Sequence, residues 1–433
     1  MKSTSSLANL DVGNSDGLVA PGNPLLDNMP AVPKLSEAMR LMDQKATSNY
    51  SYSSREESIL RQASNIYVSS AKSAGIVSTV VAQVRASYMD RDLRMPDYRN
   101  HTIAANNFLH DRPTRNSATP PSRSGMGPRA RPRGIVVAAP VRMGRRCLAD
   151  IVESVIGRGC VMTRVQTHSG FSEYAQLRSL RVQWPIEGKV LGFAQGFLGA
   201  FDSVFNTGYA NRIGSPQFRE SQVVAAVTAL GVVSNLGLLI VEGIGTETST
   251  SKAAHATWDA LAHFTRTTGI PVLCLATPGA VICGLSQLPS VAGALAPQGL
   301  FEITRSGRAE ENHWKAVCKA QFDATLRVAG IARMPEWLPA AAYDLTFGYP
   351  GLLATALSSI SLQLLSLDVK TLNADTFHTY GKQALALHEG DINAVRQIGR
   401  GGLYREPSLV RCGDWLGVRQ LSSTHPAPQL APR

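Results

Sequence analysis

A chain of 433 residues with 44% hydrophobic content is long enough to bury a substantial core, and its length allows two or three domains. Its 43 Lys and Arg against 32 Asp and Glu leave a formal charge of +11, which favours a polyanionic partner such as nucleic acid or an acidic membrane face. No apolar run approaches the roughly 20 residues of a membrane span, and the opening MKSTSSLANLDVGNSDG lacks a secretory pattern, so a cytoplasmic protein with no membrane partner is expected.

Residues 1–34, rich in Ser, Asn, Gly and Pro, read as a flexible N-terminal arm. Residues 35–111 turn helical, with apolar side chains at helical spacing in SSREESILRQASNIYVSSAKSAGIVSTVVAQVRASY. A linker follows at 112–133, holding six arginines, five prolines and no acid, the composition of an extended basic segment. It carries no aromatic for base stacking, so contact with phosphates through Arg129, Arg131 and Arg133 is the binding mode it suits, beside a plain tethering role.

From 134 to 311 short apolar runs alternate with amphipathic segments. This predicts an α/β domain on a parallel five-stranded sheet with helices on both faces. The predicted strands are 135–139, 180–184, 236–242, 271–276 and 300–304, with helices filling every gap. Residues 312–398 read as a helical lid or second domain, and 399–433 as a tail with one aromatic anchor, Trp415. Six dispersed cysteines lack the paired spacing of zinc sites, and His255 and His263 have no second ligand pair, so no metal site is expected.

The run GIVVAAPVRMGRRCLADIVESVI places a strand, a tight turn and a helix in the order of a phosphate-binding loop. The loop pattern G-x-x-x-x-G-K-[ST] falls on Ala139, Pro140, Val141, Arg142, Met143, Gly144, Arg145 and Arg146, with Cys147 following. Only the second glycine, Gly144, remains. Arg145 keeps a cation at the Lys position, while Arg146 puts a long cation where a hydroxyl would hold Mg2+. The strand LGLLIVEGIG sits where an Asp for the metal and a Glu to activate water belong, and offers Glu242 and Gly243 instead.

In the order of its segments the sequence resembles the AAA+ regulators of transposition of the TnsC/TniB type, from about Ser73 to Gln397. VVAQVRASYMDRDLRMPDY is similar to their segment upstream of the nucleotide core. QLRSLRVQWPIEGKVLGFAQGFLGAFDSVFNTGY is similar to their second strand, Pro-containing turn and following helix. LGLLIVEGIG, TTGIPVLCLATPGA and LTFGYPGLLATALSSISLQLL resemble their metal-and-base strand, sensor strand and lid helix. The resemblance implies an AAA+ (P-loop NTPase-like) core followed by a helical lid. Its partners would be double-stranded DNA, transposase subunits and a target-selector protein, and the chain would oligomerise, with itself or with an intact ATPase of the same family.

Intact members bind ATP and Mg2+ and hydrolyse ATP. Here the first glycine, the Lys, the hydroxyl and the catalytic Glu are all missing, so the resemblance implies no catalytic residue, no hydrolysis and no bound cofactor. What remains is a degenerate nucleotide pocket of Ala139, Pro140, Met143, Gly144, Arg145, Arg146, Cys147 and Glu242, closed by an expected Arg146–Glu242 pair. Arg305 and Arg308 lie where the family carries interface arginines, and Lys189 and Arg212 flank the helix leading into its DNA-contacting elements. Two alternatives stay open: an active ATP-dependent regulator in which Arg145 holds phosphates and Glu242 the metal, and a DNA-independent protein adaptor.

Overall fold

The computed structural model describes residues 22–43, 53–110, 131–167, 170–213, 220–399 and 412–422. Runs that are aliphatic at nearly every position form strands covered on both faces. Such runs build β1 (Gly134–Ala138), β5 (Leu238–Ile244) and β6 (Val272–Ala276), with the more polar β4 (Ser179–Gln183) and the short β7 (Leu300–Glu302) at the edges. All pairings in this five-stranded sheet are parallel, and the order is β4-β5-β6-β1-β7.

Before the sheet come α1 (Pro24–Asp27), α2 (Leu35–Met42), α3 (Arg55–Ala63), α4 (Ala71–Asp90) and α5 (Pro96–His110). Between its strands lie α6 (Arg145–Ile156), α7 (Val190–Phe205), α8 (Tyr209–Ile213), α9 (Glu220–Val233), α10 (Thr246–Ser249), α11 (Lys252–Thr268), α12 (Pro278–Cys283) and α13 (Pro289–Leu295). After it follow α14 (Asn312–Ala324), α15 (Leu338–Thr346), α16 (Pro350–Ser366), α17 (Ala374–Ala384), α18 (Glu389–Gly399) and α19 (Val418–Ser422).

The period-two alternation of strand side chains divides the core into two halves. Ile135, Val137, Leu238, Ile240, Leu273 and Leu275 face the cluster that holds α4, α6 and the C-terminal helices. Val136, Ala138, Leu239, Val241, Val272 and Cys274 face α7, α9, α11 and α13. The parallel five-stranded sheet, its covering helices on both faces and the helical region that follows are the α/β architecture expected.

Several segments depart from expectation. Residues 22–34 are not a free arm: Leu25, Leu26 and Met29 are buried, and Asn23 caps Leu25 N (3.0 Å) while donating to Tyr88 O (2.7 Å). Three apolar side chains close together outweigh the polar average of the stretch that contains them. The long helix α4 does not stand apart either, since Tyr88 Oη donates to Asn235 O (2.8 Å) and Ser87 Oγ to Gly269 O (2.7 Å).

Between α6 and β4, where only helix was expected, the chain makes an antiparallel hairpin of β2 (Cys160–Thr167) and β3 (Gly170–Leu177). Its alternation is weak because both faces carry polar residues, and Arg164 pairs with Glu173 across the strands (2.7 Å). Of the expected tail, residues 412–422 pack into the body, with Trp415, Leu416 and Leu421 buried. Residues 1–21, most of the basic linker, 400–411 and 423–433 lie outside the described residues.

Among the described residues no single helix is long and apolar enough to cross a membrane. The apolar pair α15 and α16 is bent by 113°, and its Leu352, Leu353, Leu357 and Ile360 belong to the core.

Candidate functional site

The expected strand, turn and helix follow one another at 134–156. Ala139 N continues the ladder onto Ala276 O (3.0 Å), and the chain then turns through Arg142 (φ 62°) and Gly144 (φ 78°) into α6. No side chain caps α6 at Gly144, so the first amides of this helix lack a capping side chain at the positive end of its dipole. The lid rests on the turn, with Gly351 N donating to Arg142 O (2.9 Å), and Arg142 Nη2 lies 2.9 Å from His388 Nε2.

Beside the turn opens a cavity of about 700 Å3. Its walls are Tyr67 and Lys72 from the N-terminal segment, residues 142–147, residues 303–306 beyond β7, and the first turns of α16. Lys72, Arg142, Arg145, Arg146 and Arg305 line it against a single carboxylate, Glu311, which gives the cavity a strongly positive lining. Burial pushes the Tyr67 phenol up to about 12 and also raises the Cys147 thiol, whose Sγ points at Ser64 O (3.9 Å). Both groups are therefore neutral wall, and the charge is supplied by the cations.

The other side of the crevice, at the end of β5, is arranged differently. Its register against β6 shifts between Val241 and Ile244, a bulge that holds Gly243 at φ +76°. Glu242 is buried there. Its Oε2 accepts from Arg181 Nη2 (2.6 Å) and its Oε1 from Gln183 Nε2, while Arg181 also pairs with Asp150 of α6. Burial alone would weaken the hold of Arg181 on its proton, but hydrogen bonds to Glu242 and Asp150 outweigh it and raise the pKa above the ordinary arginine value. The expected Arg146–Glu242 pair is thus replaced by Arg181–Glu242. β4 lies beside β5 with Gln183 in register with Glu242, so Arg181 reaches the carboxylate from the neighbouring strand while Arg146 stays exposed at the cavity.

Among the remaining pocket residues, Ala139, Pro140 and Met143 are buried under the turn. Arg145 points across to β5, donating from Nη1 to Ile244 O (3.2 Å). Burial draws its pKa down, opposed by the carboxylates of Asp414 and Glu242. Arg305 makes contacts within the chain: its guanidinium lies 3.7 Å from the Phe347 ring centre and donates to Tyr343 Oη (3.2 Å) and Phe347 O (3.3 Å). Arg308 is exposed.

Of the residues expected at DNA, Arg133 is internal, pairing with Asp90 (2.7 Å) and donating to Gln83 Oε1 (3.1 Å). Arg131 is exposed, Arg212 is exposed with its guanidinium 4.7 Å from the Tyr209 ring, and Lys189 pairs with Glu187. Arg129 lies outside the described residues. Sequence reasoning missed Asp150, Arg181, Lys72, Tyr67, Thr246 and Asp414. Arg181 and Gln183 carried a signal, since two long polar side chains alternate within a run otherwise read as a buried strand.

No family model and no curated protein matches the sequence. Among solved structures the chain is similar to the ORC2 protein of Aeropyrum pernix in ADPNP–ADP complexes, with 11% identity, covering 73% of this chain and 78% of that one at a TM-score of 0.40. It is similar also to the ORC1 protein of Aeropyrum pernix in complex with DNA, with 9% identity, 79% and 84% coverage and a TM-score of 0.41. A Walker-type ATPase of Pyrococcus abyssi is similar at 10% identity, 75% and 89% coverage and a TM-score of 0.36.

Proposed function

We propose that this chain is a cytoplasmic AAA+-like regulator of DNA transposition that binds duplex DNA and links target DNA or a target selector to transposase subunits without hydrolysing ATP. It acts as an oligomer, with itself or with an intact ATPase of its own type. The observation that carries the loss of hydrolysis is the engagement of Glu242 by Arg181 and Gln183 next to Gly243. A Cβ built on Gly243 would stand 2.8 Å from the movable Gln183 Oε1, and φ +76° strains any L side chain there, a glutamate included. A general base contributes about 10²–10⁴ in rate, and none is present at that position. The DNA reading is supported by the ordered resemblance to transposition regulators, the +11 charge, and exposed Arg131 and Arg212.

ATP turnover measured with and without duplex DNA is expected to stay at background, also in Gly243→Glu; turnover abolished by Glu242→Ala overturns this reading. Duplex binding should ignore sequence and weaken with salt by about 0.9 in log–log slope per phosphate contact. Deleting 112–130, which spares the Arg133–Asp90 pair, should lower the slope, and an unchanged slope makes the linker a tether.

The cavity supports a second reading, ATP retained as an uncleaved ligand. Its cations and the uncapped start of α6 suit phosphate groups. The residues do not suit Mg2+, because Arg146 stands in place of a hydroxyl and Glu242 is already engaged.

A further inference from the structure

In open α/β sheets ligands bind in the crevice outside the carboxyl ends of the strands. In this chain a short segment from its own C-terminal part lies across those ends. Asp414 O accepts from Val141 N in the turn after β1 (2.8 Å). Asp414 Oδ1 accepts from Thr246 N (2.9 Å) and Thr246 Oγ1 (2.6 Å) at the end of β5. Gly413 O accepts from Gly279 N beyond β6 (2.9 Å), and Glu302 Oε1 at the end of β7 receives Val418 N (2.8 Å). Four of the five strand ends are thereby tied to one stretch of about ten residues.

The fit is close. A Cβ on Gly279 would come within 2.9 Å of the Gly413 backbone, so that position admits the segment only as glycine. Trp415 is buried edge-on against Tyr349, with ring centres 5.4 Å apart, and Tyr349 Oη donates to Trp415 O. Leu416 is fully buried. The aromatic and leucine anchor the segment, and Asp414 sets a carboxylate against the donors of the turn and β5.

We propose that residues 412–422 are an intramolecular plug, in which the Asp414 carboxylate occupies the place of a bound anion and competes with polyphosphate for the crevice. Thr246 N–H, Thr246 O–H and the nearby Arg145 are the groups contested by the carboxylate, while the Asp414 carbonyl holds Val141 N–H. The plug rests on the reading of this crevice as an anion pocket and is independent of the transposition role.

The test measures tripolyphosphate binding by calorimetry in three proteins: the full chain, Asp414→Ala, and a chain ending at residue 411. Loss of charge-assisted hydrogen bonds to one carboxylate is expected to tighten binding by about tenfold in Asp414→Ala, and more in the truncated chain. A synthetic peptide of residues 410–424 added to the truncated chain should weaken binding again, which a merely stabilising role would not produce. Equal affinity in the full chain and Asp414→Ala overturns the plug. Asp414→Ala keeps Trp415 and Leu416, so it decides the matter if truncation prevents folding. A truncated chain that binds tripolyphosphate and also hydrolyses ATP upholds the plug and sinks the non-hydrolysing function; a folded truncated chain that does neither sinks the plug alone.

Discussion

The two sides of the crevice are built from the same sheet edge and have opposite characters. Toward β4 and β5 three carboxylates are tied within the chain: Glu242 holds Arg181 and Gln183, Asp150 holds Arg181, and Asp414 holds Thr246. Toward the lid, Lys72 and Arg146 are exposed on a cavity of about 700 Å3 beside a helix start with no capping side chain. The difference teaches that ligand binding and bond cleavage are separable in this architecture. On the proposed reading, Glu242 serves as an internal tie, while the space and positive charge on the lid side stay open.

The largest test of this contrast is Arg181→Met. Removing one partner of a buried ionic cluster leaves Glu242 and Asp150 uncompensated and should lower unfolding stability by about 3 kcal/mol in urea titrations. Arg181→Met with Glu242→Leu should recover part of the loss, and a single-variant effect below about 1 kcal/mol would mean that the closed side is not a structural tie.

The open side should behave in the reverse way. On the Asp414→Ala background, Lys72→Glu with Arg146→Glu should weaken tripolyphosphate binding by about tenfold or more while stability stays within about 0.5 kcal/mol, since both residues are exposed. Stability loss without affinity loss would erase the contrast.

The smallest effect concerns the seam between lid and turn. Burial, then the neighbouring Arg142, holds His388 below its ordinary value of 6.5. A depressed histidine favours the neutral form in the fold, so its contribution is complete above about 6.5 and is lost as pH falls through the folded value. Unfolding free energies from urea titrations should therefore drop by less than about 1 kcal/mol between pH 7 and pH 5, and His388→Gln should remove that part of the slope.

Much of the fold was legible because β1, β5 and β6 are aliphatic at nearly every position, and because β1 leads through one glycine into an amphipathic helix. The hairpin at 160–177 was hidden, since its strands are held by their ladder and by cross-strand pairs rather than by one apolar face. The crevice was legible along the chain and not across it. The turn at 139–147 was located by spacing, but Arg181 meets Glu242 from 61 positions away and Asp414 meets Thr246 from 168 away. No local pattern encodes such partners. Arg133 shows the same limit in reverse, since its place in a basic run suggested phosphate contact whereas Asp90 claims it.

The bulge at Gly243 also bears on how such a chain can change over generations. A glutamate arriving at that position by a single substitution meets a left-handed backbone and the Gln183 side chain, so it weakens the fold before it can help any reaction. If the proposed non-hydrolysing reading holds, a glutamate at 243 would also need the bulge in β5 straightened and Glu242 released from Arg181. On that reading one substitution at this position does not yield a working ATPase, because the backbone has to change with the side chain.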